Sequence, residues 1–131
     1  MLSGADGVHV GQSDLPVSEV RKLIGRDKIV GVSTHGIAQA NQAVLDGADY
    51  IGAGPTYRSP TKPRDFVAGL EYAREVAETI RIPTVAIAGI TESNLEAVLA
   101  TGVKRVAVTA AVLGASDIGE AARRMKSRLS T

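Results

Sequence analysis

The stretch that decides the fold is "GADYIGAG", residues 47–54, because the chain has already used nearly the same words in "GADGVHVG" at 4–11. A looser copy, "TGVKRVAV", stands at 101–108. Each copy puts a glycine just before a short apolar run. Five such runs occur: Gly7-Val8-His9-Val10, Lys28 to Val32, Asp49 to Gly52, Thr84 to Ile87 and Arg105 to Val108. Short, nearly all-apolar, β-branched runs are what parallel strands covered on both faces require.

Helical spacing fills the intervals. Val17, Val20 and Ile24 share a face before Gly25; Ile37, Ala40 and Val44 do so before Gly47. Leu70, Ala73, Val76, Ala77 and Ile80 precede Pro83, Leu95, Val98 and Leu99 precede Gly102, and Ala121, Ala122 and Met125 close the chain. Pro16 suits a first helical position, Thr91 a cap, and Asp117-x-x-Glu120 a capping box. The pattern is a βα repeat, so the class is α/β with five parallel βα units in a single domain over 1–131.

Length alone favours an open doubly wound sheet. The pace of the units, starting at Gly7, Lys28, Asp49, Thr84 and Arg105, is instead that of a (β/α)8 barrel, which needs roughly 200 residues. The opening "MLS" is an abrupt lead-in to the first strand, as if the front had been cut away.

Bulk properties narrow the function. The chain has 131 residues, a net charge of +1, 3% aromatics and no cysteine. Near-neutrality and scarce aromatics argue against a nucleic-acid partner. The lack of cysteine removes disulfides, thiolate metal sites and a Cys nucleophile. No signal peptide or apolar run of spanning length is found, so no membrane partner and a cytoplasmic location are expected.

In parallel α/β folds ligands sit at the C-terminal ends of strands, and there the polar residues collect. Gly11-Gln12-Ser13-Asp14, Ser33-Thr34-His35, "GPTYRSPTKP" at 54–63, Ala88-Gly89-Ile90-Thr91 and Thr109-Ala110-Ala111 follow the five runs. Taken singly, each has an ordinary reading. Asp14 serves equally as a helix-start residue, Ser33 and Thr34 as N-caps, His35 as a surface histidine, Gly89 as a turn residue and Lys62 as a solvated lysine. Asp6 and Asp49 read as turn residues. Jointly they read as an anion site. Gly89 opens a helix whose first N–H groups favour an anion, Thr109-Ala110 stands in the same position one unit on, and Ser59, Thr61 and Lys62 add hydroxyls and a charge. Asp14 is a hard oxygen suited to magnesium carried on a diphosphate.

"GADGVHVGQSDLP", "IVGVSTH", "GADYIGAGPTYRSPTK", "IPTVAIAGI" and "GVKRVAV" together resemble consecutive segments of the thiamine-phosphate synthase (TenI) family. The resemblance implies a (β/α)8 barrel and a Mg2+-assisted transferase. It joins hydroxymethylpyrimidine diphosphate to hydroxyethylthiazole phosphate, giving thiamine phosphate and diphosphate. It further implies Asp14 as a magnesium ligand, Ser33 and Lys62 on the pyrimidine diphosphate, and Ser59, Thr61, Gly89, Thr109 and Ala110 on the thiazole phosphate. Ser59 stands for a usual Thr, Ala110 for a frequent Ser, and Ala88 for a frequent Gly, the last a small change if its backbone angle is ordinary. By this likeness the five units match strands 4–8, the C-terminal five-eighths of the family's chain. The first three strands, with other diphosphate and magnesium contacts, would be missing, leaving this chain with impaired activity or none. Open edges then imply a homodimer or other oligomer. Two alternatives stand beside this reading: a TenI-like thiazole tautomerase with His35 as its acid–base group, and a non-catalytic phosphate-binding fragment.

Overall fold

The computed structural model describes residues 3–129. The reading of "MLS" as an abrupt lead-in falls on Met1 and Leu2, outside the described residues. Five strands form one parallel sheet: β1 (Gly7–Val10), β2 (Ile29–Thr34), β3 (Tyr50–Ala53), β4 (Thr84–Ile87) and β5 (Val106–Ala107). Between and after them lie α1 (Val17–Ile24), α2 (Ile37–Leu45), α3 (Gly69–Thr79), α4 (Leu95–Leu99), α5 (Ala110–Leu113) and α6 (Ile118–Leu129).

The strands lie in chain order, β1-β2-β3-β4-β5. Gly7 pairs with Ile29, Gly31 with Tyr50, Ile51 with Thr84, and Ala86 with Val106. A doubly wound sheet reverses direction at an internal switch point. This sheet never does, so the ordering that length alone favours is not the one found. Right-handed crossovers in a sheet of this order place the helices on one face, where α2 packs on α3 and α3 on α4.

Strand alternation sorts the residues between the two faces. Val8, Val10, Val30, Val32, Ile51 and Ala53 turn to the helices and join Val17, Val20, Ala40, Tyr72 and Val76 in one core cluster. Ala86 and Val106 turn to a second cluster with Leu95, Val98, Val103 and Met125. The opposite face carries His9, Gly31, Ser33, Tyr50 and Gly52 beside Val85 and Ile87 of β4, so the expectation of apolar cover on both faces is corrected for β1 to β3. Tyr72 ties α3 to the sheet: its hydroxyl donates to Thr34 Oγ1 at 2.7 Å, and Thr34 donates to the Gly52 carbonyl at 3.2 Å.

Several boundaries move. Ser33 and Thr34 are the last residues of β2 and not caps beyond it. The fifth strand shrinks to two residues. Val44 and Ala122 face outward, and Ala43 takes the buried place on α2. The capping box keeps its first half, with Glu120 N–H donating to Asp117 Oδ1 at 2.8 Å. Glu120 itself pairs with Arg123 and Arg124.

Asp49, the acid of the second "GAD", is a clamp. Its Oδ2 accepts from Val30 N–H at 2.7 Å and from Arg21 Nη2 at 2.6 Å, while Arg21 also donates to the carbonyls of Lys28 and Gly47. Desolvation works to raise the carboxyl's pKa; the Arg21 bond, the Val30 N–H and the Arg21 charge outweigh it and hold Asp49 below the usual carboxylate range. A depressed carboxylate contributes stability above its unfolded pKa, about 3.9, and loses it as pH falls through the folded value. Asp49→Asn is therefore expected to cost about 1 kcal/mol at pH 7. Urea melts should show wild type and variant converging as pH falls below about 4; a gap that persists at pH 2 would mean the carboxylate is not the source.

Candidate functional site: two cavities sharing one loop

The loops after the strands gather at one end of the sheet, and two of the cavities they line take in the candidate residues between them. The larger, about 430 Å³, is lined by His9, Gly11, Gln12, Ser13, Asp14, Ser33, His35, Lys62 and Arg64. The smaller, about 280 Å³, is lined by Arg58, Ser59, Pro60, Thr61, Ala88, Gly89, Ile90, Thr91, Ala107, Val108, Thr109, Ala110 and Ala111. The loop after β3 serves both. Ser59 and Thr61 line the smaller cavity, and Lys62, the next residue, lines the larger.

Every candidate from the sequence thus falls into one of two groups. Asp14, Ser33, His35 and Lys62 come together in the larger cavity; Ser59, Thr61, Gly89, Thr109 and Ala110 come together in the smaller.

Local structure explains how. After β1, Asp14 turns back so that its Oδ2 accepts the Gly11 N–H at 2.6 Å. This fixes the carboxylate at the strand end. Among the described residues no three His, Asp or Glu side chains come together as a metal cage. A single oriented carboxylate beside a lysine fits magnesium that arrives on a diphosphate, since that ion keeps waters and phosphate oxygens as most of its ligands.

The loop after β3 is strapped to the turn after β4. Thr56 N–H donates to the Ile87 carbonyl at 2.9 Å and Tyr57 N–H to the Ala88 carbonyl at 3.2 Å. Gly89 lies against this strap at φ +66°.

No helix opens at Gly89, contrary to expectation. Helix α4 begins at Leu95, and Asn94 organises the turn before it. The Asn94 side chain accepts from Thr91 N–H at 2.8 Å and donates to the Gly89 carbonyl at 2.9 Å; Asn94, not Thr91, holds the N-cap position, with its side chain bonded to the turn and not to the helix. The angle at Ala88 is not ordinary either: its φ is +74°. A left-handed angle costs a residue with a Cβ about 1–2 kcal/mol. Ala88→Gly is expected to stabilise the chain by about 0.5–1 kcal/mol once the added freedom of glycine is subtracted. A raised urea midpoint at constant m would register it; a lowered one would mean the turn does not need the left-handed angle.

His35 is held on two sides. Its Nδ1 lies 2.6 Å from the Gly54 carbonyl, which only accepts, so Nδ1 carries the proton and Nε2 is left as the open nitrogen. Phe66 meets the ring edge-on at 5.2 Å between centroids.

Three side chains in or beside the larger cavity escaped the sequence reading, His9, Tyr50 and Arg64, and Gln12 was read only as a polar residue after the first run. His9 sits between Tyr50 Oη and Ser33 Oγ, at 2.8 Å from each. Gln12 Nε2 donates to the Ser33 carbonyl at 2.8 Å. Burial, and then the Lys62 charge, hold His9 below the usual imidazole range. The one signal in the sequence was alternation: His9 lies between two core valines, and Tyr50 precedes core Ile51, so both belong to the face the helices do not cover.

Comparison with known proteins finds relatives over most of the chain. The family model described as thiamine monophosphate synthase matches residues 1–112. A thiamine-phosphate synthase of Gloeobacter violaceus is 52% identical over 119 residues, covering 91% of this chain and 35% of that protein. One from Caldicellulosiruptor saccharolyticus is 48% identical over 125 residues, covering 95% of this chain and 57% of its own. The solved thiamine phosphate pyrophosphorylase from Pyrococcus furiosus superposes with a TM-score of 0.86 at 36% identity, over 96% of this chain and 60% of that one. The chain therefore spans between about a third and three-fifths of the length of these relatives. The expectation of a C-terminal five-eighths lacking three strands is corrected to a match over residues 1–112, which assigns no missing strands. The chain belongs to the thiamine monophosphate synthase family.

Proposed function

We propose that this chain carries the substrate-binding end of a thiamine-phosphate synthase. The reaction joins hydroxymethylpyrimidine diphosphate to hydroxyethylthiazole phosphate. The bond from the pyrimidine methylene to the diphosphate oxygen breaks, its electron pair leaving with diphosphate. The thiazole nitrogen then supplies the pair for the new C–N bond. One observation carries the reading: a loop that places two hydroxyl residues in one anion-sized cavity puts its next residue, a lysine, in a second.

In this reading Ser33 and Lys62 hold the diphosphate and Asp14 orients the magnesium that accompanies it. Magnesium, when bound, neutralises charge on the departing oxygen. Ser59 and Thr61 hold the thiazole phosphate, with backbone around Gly89, Thr109 and Ala110 closing the cup. The enzyme's contribution is positioning and stabilisation of developing negative charge. The sheet is proposed to be an arc of a (β/α) barrel within one domain, since its strands run in chain order. Strands β1 and β5 each pair on one side only among the described residues, which supports self-association. A cytoplasmic location goes with this reading; among the described residues no helix is long and apolar enough to cross a membrane.

A tautomerase reading would need His35 beside the bound thiazole. His35 lines the cavity of Asp14 and Lys62 and not that of Ser59 and Thr61, which favours the synthase. The test is calorimetric titration of hydroxyethylthiazole phosphate, then of the pyrimidine diphosphate with Mg2+, with a light-scattering mass on the same sample. Saturable binding of both is expected, from a species heavier than the 13.6 kDa chain. Binding of the thiazole alone would turn the assignment to the tautomerase, and binding of neither by a folded chain would overturn both.

A further inference from the structure

A hydrogen-bonded chain of three side chains crosses β3, β2 and β1 on the face away from the helices. Tyr50 Oη reaches His9 Nδ1, and His9 Nε2 reaches Ser33 Oγ, each over 2.8 Å. The tyrosine gets there by lying over Gly31, where a Cβ would overlap its ring. The rings of His9 and Tyr50 sit 5.4 Å apart between centroids. Gln12 Nε2 holds the Ser33 carbonyl and His9 holds its Oγ, which leaves the hydroxyl hydrogen free to turn.

A neutral imidazole has one N–H and one lone pair, and both its partners here are hydroxyls that either donate or accept. The chain therefore has two polarities. In one, Tyr50 donates to Nδ1 and Nε2–H donates to Ser33, which leaves the serine hydrogen free to face the cavity. In the other, Ser33 donates to Nε2 and Nδ1–H donates to Tyr50, and the serine offers the cavity only lone pairs. A phenol, with its pKa of about 10, is a stronger donor than an alcohol, so Tyr50 selects the first polarity.

We propose that Tyr50 and His9 are positioning residues: they hold His9 as its Nε2–H tautomer and turn the Ser33 hydroxyl outward as a donor to an anion beside Lys62. The inference rests on the proposed diphosphate site and deepens it. It explains why a glycine faces Tyr50 on the neighbouring strand.

The test combines two readouts. Imidazole nitrogen shifts, measured by NMR with His35→Gln to assign the second histidine, report the tautomer directly. Inorganic pyrophosphate, titrated by calorimetry, reports the donor. Wild type is expected to show the Nε2–H form. Tyr50→Phe, which removes one oxygen, should lose that preference and bind pyrophosphate about tenfold more weakly, a charge-assisted bond's worth. Ser33→Ala should lose about as much, and the double variant little more than either, because one donor is being removed twice. Gly31→Ala, which displaces the Tyr50 ring and keeps its hydroxyl, should reproduce Tyr50→Phe. An Nδ1–H tautomer in wild type, or full pyrophosphate affinity in Tyr50→Phe where Ser33→Ala is weakened, would overturn the proposal. A wild type that shows the Nε2–H form yet binds no pyrophosphate would leave the tautomer lock standing and sink the anion site it was meant to serve.

Discussion

Gly89→Ala is expected to destabilise the chain by about 3 kcal/mol and to abolish binding in the smaller cavity. Two terms add. The residue holds φ at +66°, which costs any side chain about 1–2 kcal/mol. Its new Cβ would also stand 2.5 Å from the Arg58 carbonyl oxygen and 2.7 Å from Tyr57 Cβ. Overpacking against such unyielding neighbours costs about 1–3 kcal/mol. Backbone is what it meets, so relief comes only by lifting residues 57–58 off the turn after β4. That movement carries Ser59 and Thr61 away from Thr109 and Ala110, and the cup opens. Urea melts would give the stability change and titration of hydroxyethylthiazole phosphate the binding loss. A loss under 1 kcal/mol would mean that strap and turn are not locked together.

Lys62→Ala is expected to weaken pyrophosphate binding by about 10- to 100-fold, the loss of one charge-assisted contact of roughly 1.5–3 kcal/mol. The side chain is exposed, so stability should hardly change. A second readout is independent of any ligand. The Lys62 charge is one of two causes that lower the His9 pKa, the first being burial. Removing it should raise the His9 titration midpoint partway towards the ordinary imidazole value. An unmoved midpoint would place the ammonium too far from His9 to share a cavity with it.

Much of the fold was legible because it rests on local periodicity. Val17, Val20 and Ile24 mark α1, Leu70, Ala73 and Val76 mark α3, and the glycines after α1, α2 and α4 stop them where expected. Strand neighbours are a non-local property, so chain order could not be read from the runs themselves. Ser33 and Thr34 misled because hydroxyl residues suit both helix caps and strand ends. Thr34 stays in the strand because the Tyr72 hydroxyl, far along the chain, gives its side chain a buried partner. Val44 lost its place to Ala43 because a closely packed helix prefers the smaller residue against the sheet.

The candidate site was legible as residue types near strand ends. It was not legible as two separate cavities, since that division depends on how the loop after β3 lies between its neighbours. His9 and Tyr50 were hidden for a related reason. Their partnership exists only because β1, β2 and β3 adjoin, with a glycine on the middle strand. Ala88 was misjudged because nothing in its own type shows a positive φ; the strap of Tyr57 onto its carbonyl is what goes with it.

The ordering of the strands also bears on how the chain folds. Among the described residues each strand bonds only to the ones just before and after it in sequence, so every pairing there closes a loop no longer than one βα unit. No early segment must wait for a late one. Loop closure is the entropic toll on folding rate, and here it is collected in small, nearly equal instalments. Assembly can begin at any adjacent pair and spread outward, much as in stacked-repeat proteins. Damage at one end, such as a loosened β5, should accordingly leave the pairing of β1 with β2 largely untouched.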